Sequence, residues 1–148
     1  MNEQHGYDIE DLQVGMSATL AKTVTEADIL LFSAVSTDTN ALHINEAYAA
    51  GTPFKGRIAH GMLSASLISA VLANRLPGPG TIYLEQSLKF TAPVRAGDTV
   101  SATVTVLSLG DKGRVTLQTT CSVQGVTVID GQAVVKIGSS ARRAASPH

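Results

Sequence analysis

Two side chains that can exchange a proton with water, Asp38 and His43, lie five residues apart in a segment without regular periodicity. At that spacing they do not share a face of a helix, but a tight loop can direct both into one cleft. A carboxylate and an imidazole can hold a water molecule between them, one partner taking a proton and the other giving one. The alternative is structural: Asp38 caps a turn, and His43 packs inside the loop.

A third candidate is Gly61, which follows His60 at the start of a long apolar stretch. The first N–H groups of a helix have no partner within the helix and lie at the positive end of its dipole. Glycine has no side chain to keep a carbonyl away. The Gly61 N–H is therefore suited to stabilise an enolate or another oxyanion. Close packing of a helix against a sheet explains the same glycine without any catalytic role.

The apolar stretch at residues 58–76 is the element around which the chain is organised. It has no Asp, Glu, Lys or Arg before Arg75, its one titratable side chain before that is His60, and its large and its small residues each recur every four positions. This spacing predicts a helix that ends at the Pro-Gly-Pro-Gly run and is buried on most sides. The helix is too short and too rich in Ser for a membrane span. Its row of small residues is either close packing or the wall of a narrow acyl channel, and consists of Gly61, Ala65, Ser69 and Ala73.

The segments before and after this helix differ in how their apolar residues are spaced. Ser17 to Thr23 alternates like a strand, and Thr25 is the predicted N-cap of a helix that runs to about Ser36. The irregular segment at 37–57 is a long loop, which we expect to be functional. After the central helix, period-two alternation predicts antiparallel strands over 81–90, 99–108, 114–123 and 126–137, the last with a bulge at Asp130–Gly131.

These elements predict an α+β fold in which an antiparallel sheet curls around one buried helix. The edges of such a sheet need cover, so we expect a homodimer or a dimer of dimers. We expect one domain over residues 1–148, with disordered tails at 1–6 and 139–148.

Composition excludes several classes of function. The 148-residue chain has a net charge of −1 and no basic stripe, which argues against nucleic-acid binding. Its single Cys121 excludes an internal disulfide and is expected to be an inert core residue. The four scattered histidines do not predict a metal site. The N-terminus lacks a secretory signal pattern, so we expect a cytoplasmic protein without a membrane partner.

The chain resembles the R-specific enoyl-CoA hydratases, the MaoC-like hydratase 2 group. The resemblance is carried by Asp38, Asn40 and His43 within the run FSAVSTDTNALH, and by the later run HGML at 60–63. It extends over nearly the whole chain and is greatest to the small single-domain members that supply monomers for polyhydroxyalkanoate synthesis. It implies the hot-dog fold.

The resemblance also implies an activity, the reversible syn hydration of a trans-2-enoyl-CoA to an (R)-3-hydroxyacyl-CoA. Asp38 and His43 would hold the water, and the Gly61 N–H would bind the thioester oxygen. Asn40 would hold the loop, and Ser69 would lie along the pocket near the acid–base pair. No cofactor is implied, because coenzyme A is part of the acyl-CoA substrate.

One residue departs from the family pattern, and two basic residues are candidates for binding the substrate. The family usually has Pro after the motif Asn, where this chain has Ala41, and the loss of Pro loosens the loop entropically without removing a catalytic group. Lys55 and Arg57 are candidates to bind the nucleotide of coenzyme A by position and charge, the alternative being that both are solvated surface residues.

Three other functions stay open from the sequence. A hot-dog thioesterase and a hydroxyacyl-carrier-protein dehydratase usually take an acid from the central helix, and this helix offers no Asp or Glu. A non-catalytic acyl-binding module would need no pair of Asp and His.

Overall fold

The computed structural model describes residues 5–140, so most of the two predicted tails lies outside the described residues. The described ends are bound to the rest of the fold. The Tyr7 N–H donates a hydrogen bond to the Pro77 carbonyl at 2.8 Å. At the other end, the Ser140 N–H donates to a Glu10 carboxylate oxygen at 3.3 Å.

Within residues 5–140, six strands form one antiparallel sheet. The strands are β1 (Ser17–Thr23), β2 (Ile82–Gln86), β3 (Lys89–Phe90), β4 (Thr99–Leu109), β5 (Arg114–Val123) and β6 (Val126–Lys136). Their order in the sheet is β1-β4-β5-β6-β2, and β3 also pairs with β6. The sheet is open, with β1 at one edge and β2 at the other.

The alternation predicted for the central strands is confirmed. Every second residue of β4 from Val100 to Val106 is buried, as are Val115, Leu117 and Cys121 of β5. Thr119 interrupts this apolar row but is not left unsatisfied, because its hydroxyl accepts a hydrogen bond from the Gln86 amide at 2.9 Å.

Four α-helices lie within residues 5–140: α1 (Glu26–Ser36), α2 (Ala41–Ile44), α3 (Glu46–Ala50) and α4 (Gly61–Asn74). Two 3-10 helices span Ile9–Asp11 and Asp111–Gly113. Thr25 caps α1 as predicted, and it exchanges two hydrogen bonds with Asp28 in a capping box. The irregular loop predicted at 37–57 is wrong in part, because it carries α2 and α3. Each is about one turn long and is capped by an Asn side chain, so neither is long enough to show helical periodicity.

Helix α4 packs on one face of the sheet, mainly against β4. Seven of its residues are buried, including Ile68 and Val71. The prediction of burial on most sides is confirmed, because the buried residues cover more than half of the circumference of the helix. A strip of α4 is exposed, formed by Met62, Ser66, Ser69 and Ala73.

The segment 81–90 departs most from its prediction as one strand with a buried apolar face. It divides into β2 and β3, and a register shift between Tyr83 and Glu85 interrupts the alternation. Strand β2 is an edge strand, and Ile82 stays 55% exposed.

The predicted bulge of β6 is misplaced. The register shift lies at Val128, since Cys121 pairs with Ile129 and the next residue of β5 pairs with Thr127. Gly131 has another reason to be glycine, because a Cβ there would collide with the carbonyl oxygen of Ser87.

Candidate active site

His43 is held in one orientation and one tautomer. It lies on α2, whose N-cap Asn40 accepts a hydrogen bond from the Leu42 N–H at 3.0 Å. The His43 Nδ1 is 2.8 Å from the carbonyl oxygen of Ile58. Because a carbonyl only accepts, Nδ1 carries the hydrogen, and Nε2 of the neutral ring keeps its lone pair.

Asp38 is positioned by the turn that follows α1. Thr37 ends the helix in a left-handed conformation with φ 63°. The Asp38 N–H donates to the Ser36 hydroxyl at 3.1 Å, and the Asp38 carboxylate accepts from the Asn40 N–H at 3.3 Å. These contacts use one carboxylate oxygen within the turn, and the side chain is exposed.

The fold brings Asp38 and His43 together and adds His60. One potential ligand atom of each of the three side chains lies within 4.8 Å of the other two. The rings of His43 and His60 are stacked, with centroids 3.9 Å apart and an interplanar angle of 27°. The acid–base pair and the imidazole of His60 therefore lie next to each other.

Gly61 is the first residue of α4, directly after the N-cap His60. Among residues 5–140, no group accepts a hydrogen bond from its N–H. The ring of Phe90 lies against Gly61, and a Cβ at this position would be 2.5 Å from a ring carbon. Glycine here thus serves close packing as well as access to the N–H, and both explanations from the sequence remain compatible with the structure.

Asp38, His43 and Gly61 line one cavity of about 440 Å³. Most of its wall is apolar and comes from the segment before α4, from β3 and the residues after it, and from β6. Those residues include Phe54, Ile58, Phe90, Pro93, Val128 and Ile129. Such a cavity can hold an acyl thioester beside a polar acid–base pair.

Ser69 lines a different cavity, of about 570 Å³, between α4 and β2. Met62 contributes to both cavities, so they adjoin at this side chain. In the single chain Ser69 is exposed and does not line the cavity of Asp38 and His43.

Arg57 and Lys55 differ in their surroundings. The Arg57 guanidinium donates to the carboxylate of Glu46 at 2.9 Å and to that of Glu26 at 2.6 Å. Its hydrogen bonds hold the pKa of Glu46 below the ordinary value and raise the pKa of Arg57 itself. Lys55 is exposed, with φ 58°. Arg57 is thus engaged in joining α1 to α3, and a role for either residue in nucleotide binding stays a prediction.

Comparisons with known proteins agree with this architecture. Residues 12–138 match the family described as the MaoC like domain. The chain belongs to the MaoC-like family. It is 62% identical over 129 residues to an (R)-specific enoyl-CoA hydratase of Rhodospirillum rubrum, covering 86% of this chain and 90% of that protein.

Two further relatives support the assignment to the MaoC-like family. A 3-hydroxybutyryl-CoA dehydratase of Methylorubrum extorquens is 48% identical over 129 residues, covering 86% of this chain and 82% of that protein. The solved structure of an (R)-hydratase from Aeromonas caviae involved in PHA biosynthesis superposes with a TM-score of 0.84. It shares 47% identity and covers 86% of this chain and 98% of that chain. The fold is accordingly the MaoC-like hot-dog, as the resemblance implied.

Sequence reasoning missed several residues of this MaoC-like site. It assigned no role to the side chain of His60, although His60 was the lone titratable group within the apolar stretch. It passed over Ser33, a polar residue four positions after the buried Ile29. It also missed Arg95, which donates to the carbonyls of Phe54 and Arg57 and braces the segment before α4. A polar residue on an apolar helical phase was the available signal for the first two.

The described part of this MaoC-like chain, residues 5–140, contains no helix with the length and hydrophobicity needed to cross a membrane.

Proposed function

We propose that this chain catalyses the reversible syn hydration of trans-2-enoyl-CoA to (R)-3-hydroxyacyl-CoA. The observation that carries the proposal is the meeting of Asp38, His43 and the free Gly61 N–H in one largely apolar cavity. The relatives support it, since one is an (R)-specific enoyl-CoA hydratase and another a 3-hydroxybutyryl-CoA dehydratase.

The first step uses the lone pair of His43 Nε2. A water held between this nitrogen and the Asp38 carboxylate gives a proton to the pair as its oxygen bonds to Cβ of the enoyl group. The pair then returns a proton to Cα. Because Asp38 and His43 share one side of the cavity, the new hydroxyl and the new hydrogen arrive on the same face of the double bond. The pair ends unchanged, and the elements of one water have been added.

Gly61 acts between these two proton transfers. As the water oxygen bonds to Cβ, the thioester oxygen gains enolate charge. A backbone donor at the start of α4 stabilises that charge more than it stabilises the uncharged ground state. This difference lowers the barrier instead of merely tightening binding.

The proposal is tested with crotonyl-CoA. We expect purified protein to remove the enoyl absorbance and to yield 3-hydroxybutyryl-CoA, while the Asp38→Asn/His43→Ala double variant does not. The same assay with an enoyl-acyl-carrier-protein distinguishes the two carriers. Release of free thiol from a saturated acyl-CoA, without hydration of crotonyl-CoA, would indicate a thioesterase and refute the proposal.

We also propose that the reaction needs no metal or other cofactor. His43 Nδ1 and His60 Nε2 each donate a hydrogen bond to a backbone carbonyl, so neither nitrogen has a lone pair to offer a metal ion. Activity should survive extended dialysis against a chelator, and loss of activity that zinc restores would contradict this proposal.

The active assembly that we propose is a homodimer, or a dimer of dimers, joined along β2. This edge strand exposes Ile82, Tyr83 and Leu84, whereas the opposite edge, β1, presents Ser, Thr and Lys residues. An apolar edge without cover is the one that a second chain should pair with. The same contact would cover the exposed strip of α4.

For the cellular setting we propose the cytoplasm, with the product serving polyester synthesis. The support is similarity to an (R)-hydratase that takes part in PHA biosynthesis. Deletion of the gene should lower the cell's polyhydroxyalkanoate content when fatty acids are the carbon source, and unchanged content would contradict this assignment.

A further inference from the structure

We infer that His60 is a positioning residue that holds both members of the acid–base pair in place. The inference rests on the proposed function, because it assigns His60 to the site at which hydration occurs. The ring of His60 contacts the backbone carbonyl of Asp38 and the ring of His43, and His60 immediately precedes Gly61. The His60 side chain, at the start of α4, thus contacts both Asp38 and His43.

The contact with Asp38 is a hydrogen bond. His60 Nε2 is 3.0 Å from the Asp38 carbonyl oxygen, and the hydroxyl of Ser33 is 3.1 Å from the same nitrogen. Since the carbonyl only accepts, Nε2 carries the hydrogen. This bond joins the turn after α1 to the start of α4, two segments that are 22 residues apart in sequence. The turn that carries the Asp38 carboxylate is therefore fixed relative to Gly61.

The contact with His43 is a ring stack at a centroid distance of 3.9 Å. The His43 ring has one hydrogen bond, through Nδ1 to Ile58, and when that single bond breaks the ring is free to turn about Cβ–Cγ. A second ring against its face removes this freedom. His60 therefore sets the direction of the His43 Nε2 lone pair.

The surroundings of His60 show that its ring is not there for stability alone. The residue is 2% exposed, and Phe32 packs against it with ring centroids 4.9 Å apart. Its Nδ1 is buried and has no hydrogen-bond partner among residues 5–140. Leaving a buried polar atom unpaired costs stability, so an apolar side chain of similar size would suit this position better for packing. What that apolar side chain would lack is the donor to Asp38.

The test compares two substitutions at position 60. His60→Leu removes both the donor and the ring, whereas His60→Gln keeps an N–H donor at a similar distance from the backbone. With crotonyl-CoA as substrate, we expect His60→Leu to lower kcat about 10–100-fold, the effect that loss of an orienting partner has on metal-bound histidines. KM should change less than about threefold, and His60→Gln should recover part of kcat. All rates are expressed per folded molecule, measured by circular dichroism.

Two further measurements separate positioning from a structural role. In a His43→Ala background, His60→Leu should lower the residual rate by less than about threefold, because the main group that it orients is gone. The Nδ1–H NMR signal of the His43 ring should exchange slowly with solvent in the wild type and faster in His60→Leu, because the ring that holds His43 against the Ile58 carbonyl is gone. This spectrum is recorded without substrate, so it tests the inference even if the chain hydrates nothing.

Three results would overturn the inference. One is a His60→Leu variant with wild-type kcat per folded molecule and an unchanged exchange rate of the His43 Nδ1–H. Another is an equal loss of kcat in His60→Leu and His60→Gln. The third is a loss in the His43→Ala background as large as in the wild type. If His60→Leu does not fold, His60→Phe replaces it, keeping the ring but losing the donor, and is expected to be slower than His60→Gln. Wild-type protein without hydratase activity would refute the proposed function and leave the spectrum to decide this inference.

Discussion

The carbonyl oxygen of Ile58 accepts a hydrogen bond from His43 Nδ1 at 2.8 Å, and this bond decides which nitrogen faces the reaction. Ile58 is itself fixed, since its N–H donates to Leu42 at 3.3 Å. The next N–H along the chain, that of Ala59, donates to Val94 at 2.6 Å. The base is thus oriented by backbone that precedes α4, and the same backbone leads directly into the proposed oxyanion donor.

Loss of either member of the pair should lower turnover. We expect Asp38→Asn and His43→Ala each to decrease kcat by roughly 10²–10⁴, the usual contribution of a positioned acid or base. Asp38→Asn should remain folded, because Asp38 is exposed in a turn, whereas His43 is buried, so the rate of His43→Ala is expressed per folded molecule. The matched control is Asp111→Asn in the turn between β4 and β5, which should keep full activity. Near-wild-type rates in both site variants would show that the pair is misassigned.

Substitution of Gly61 separates catalysis from binding. Gly61→Val places a side chain against Phe90 and keeps the thioester oxygen away from the N–H. The rate constant for bound substrate should fall by about 10²–10³, the effect of losing one oxyanion donor, while a saturated acyl-CoA binds almost as well. Single-turnover hydration and thermal unfolding are measured on the same protein.

A control for Gly61→Val removes the Phe90 ring, with which the new side chain would collide. In a Phe90→Leu background the steric conflict is reduced, so a purely structural role predicts recovery of both stability and rate. The catalytic role predicts recovery of stability alone. A Gly61→Val variant that is destabilised yet fully active per folded molecule would return Gly61 to a structural role.

The assembly is tested at the β2 edge. Light scattering at micromolar concentration should give a mass of at least twice 15.4 kDa. Leu84→Lys should dissociate the assembly, because a charge on a buried apolar edge opposes pairing. Thr19→Lys on the opposite edge is the control and should leave the mass unchanged. A wild-type chain that runs only at 15.4 kDa would contradict the predicted dimer.

The thiol of Cys121 should be unreactive in the folded protein. Desolvation by burial raises its pKa to about 11, so the thiol is protonated at pH 8 and also shielded from reagents. Alkylation by iodoacetamide at pH 8 should therefore be slow in buffer and fast in denaturant. Rapid labelling of the folded chain would show that β5 is not part of the core.

The parts of the fold that depend on local chemistry were predictable from the sequence. The cap at Thr25 and the alternation of β4 and β5 each follow from a few adjacent side chains. The pair at Asp38 and His43 was recognisable because its residue types have a joint chemistry. Helices α2 and α3 were not predictable from the sequence, since one turn of helix is too short to show a repeating pattern of apolar residues.

The remaining features depend on parts of the molecule that are distant in sequence. Whether Ile82 is buried depends on what covers β2, so an apolar alternation predicts burial that a single chain does not provide. The role of His60 arises from its contacts with Ser33 and Asp38, which no spacing rule relates to it. Gly131 reflects the approach of Ser87, a contact between two strands that only the folded sheet reveals.

The most direct test of the central claim is the stereochemistry of hydration in D₂O. Crotonyl-CoA is converted by the wild-type chain, and the 3-hydroxybutyryl-CoA product is analysed for its configuration at C3 and for the position of deuterium at C2. A pair on one side of the cavity predicts that one deuterium is added syn to the new hydroxyl, and the proposed function predicts the (R) alcohol. An (S) alcohol, anti addition, or no consumption of crotonyl-CoA would contradict the account.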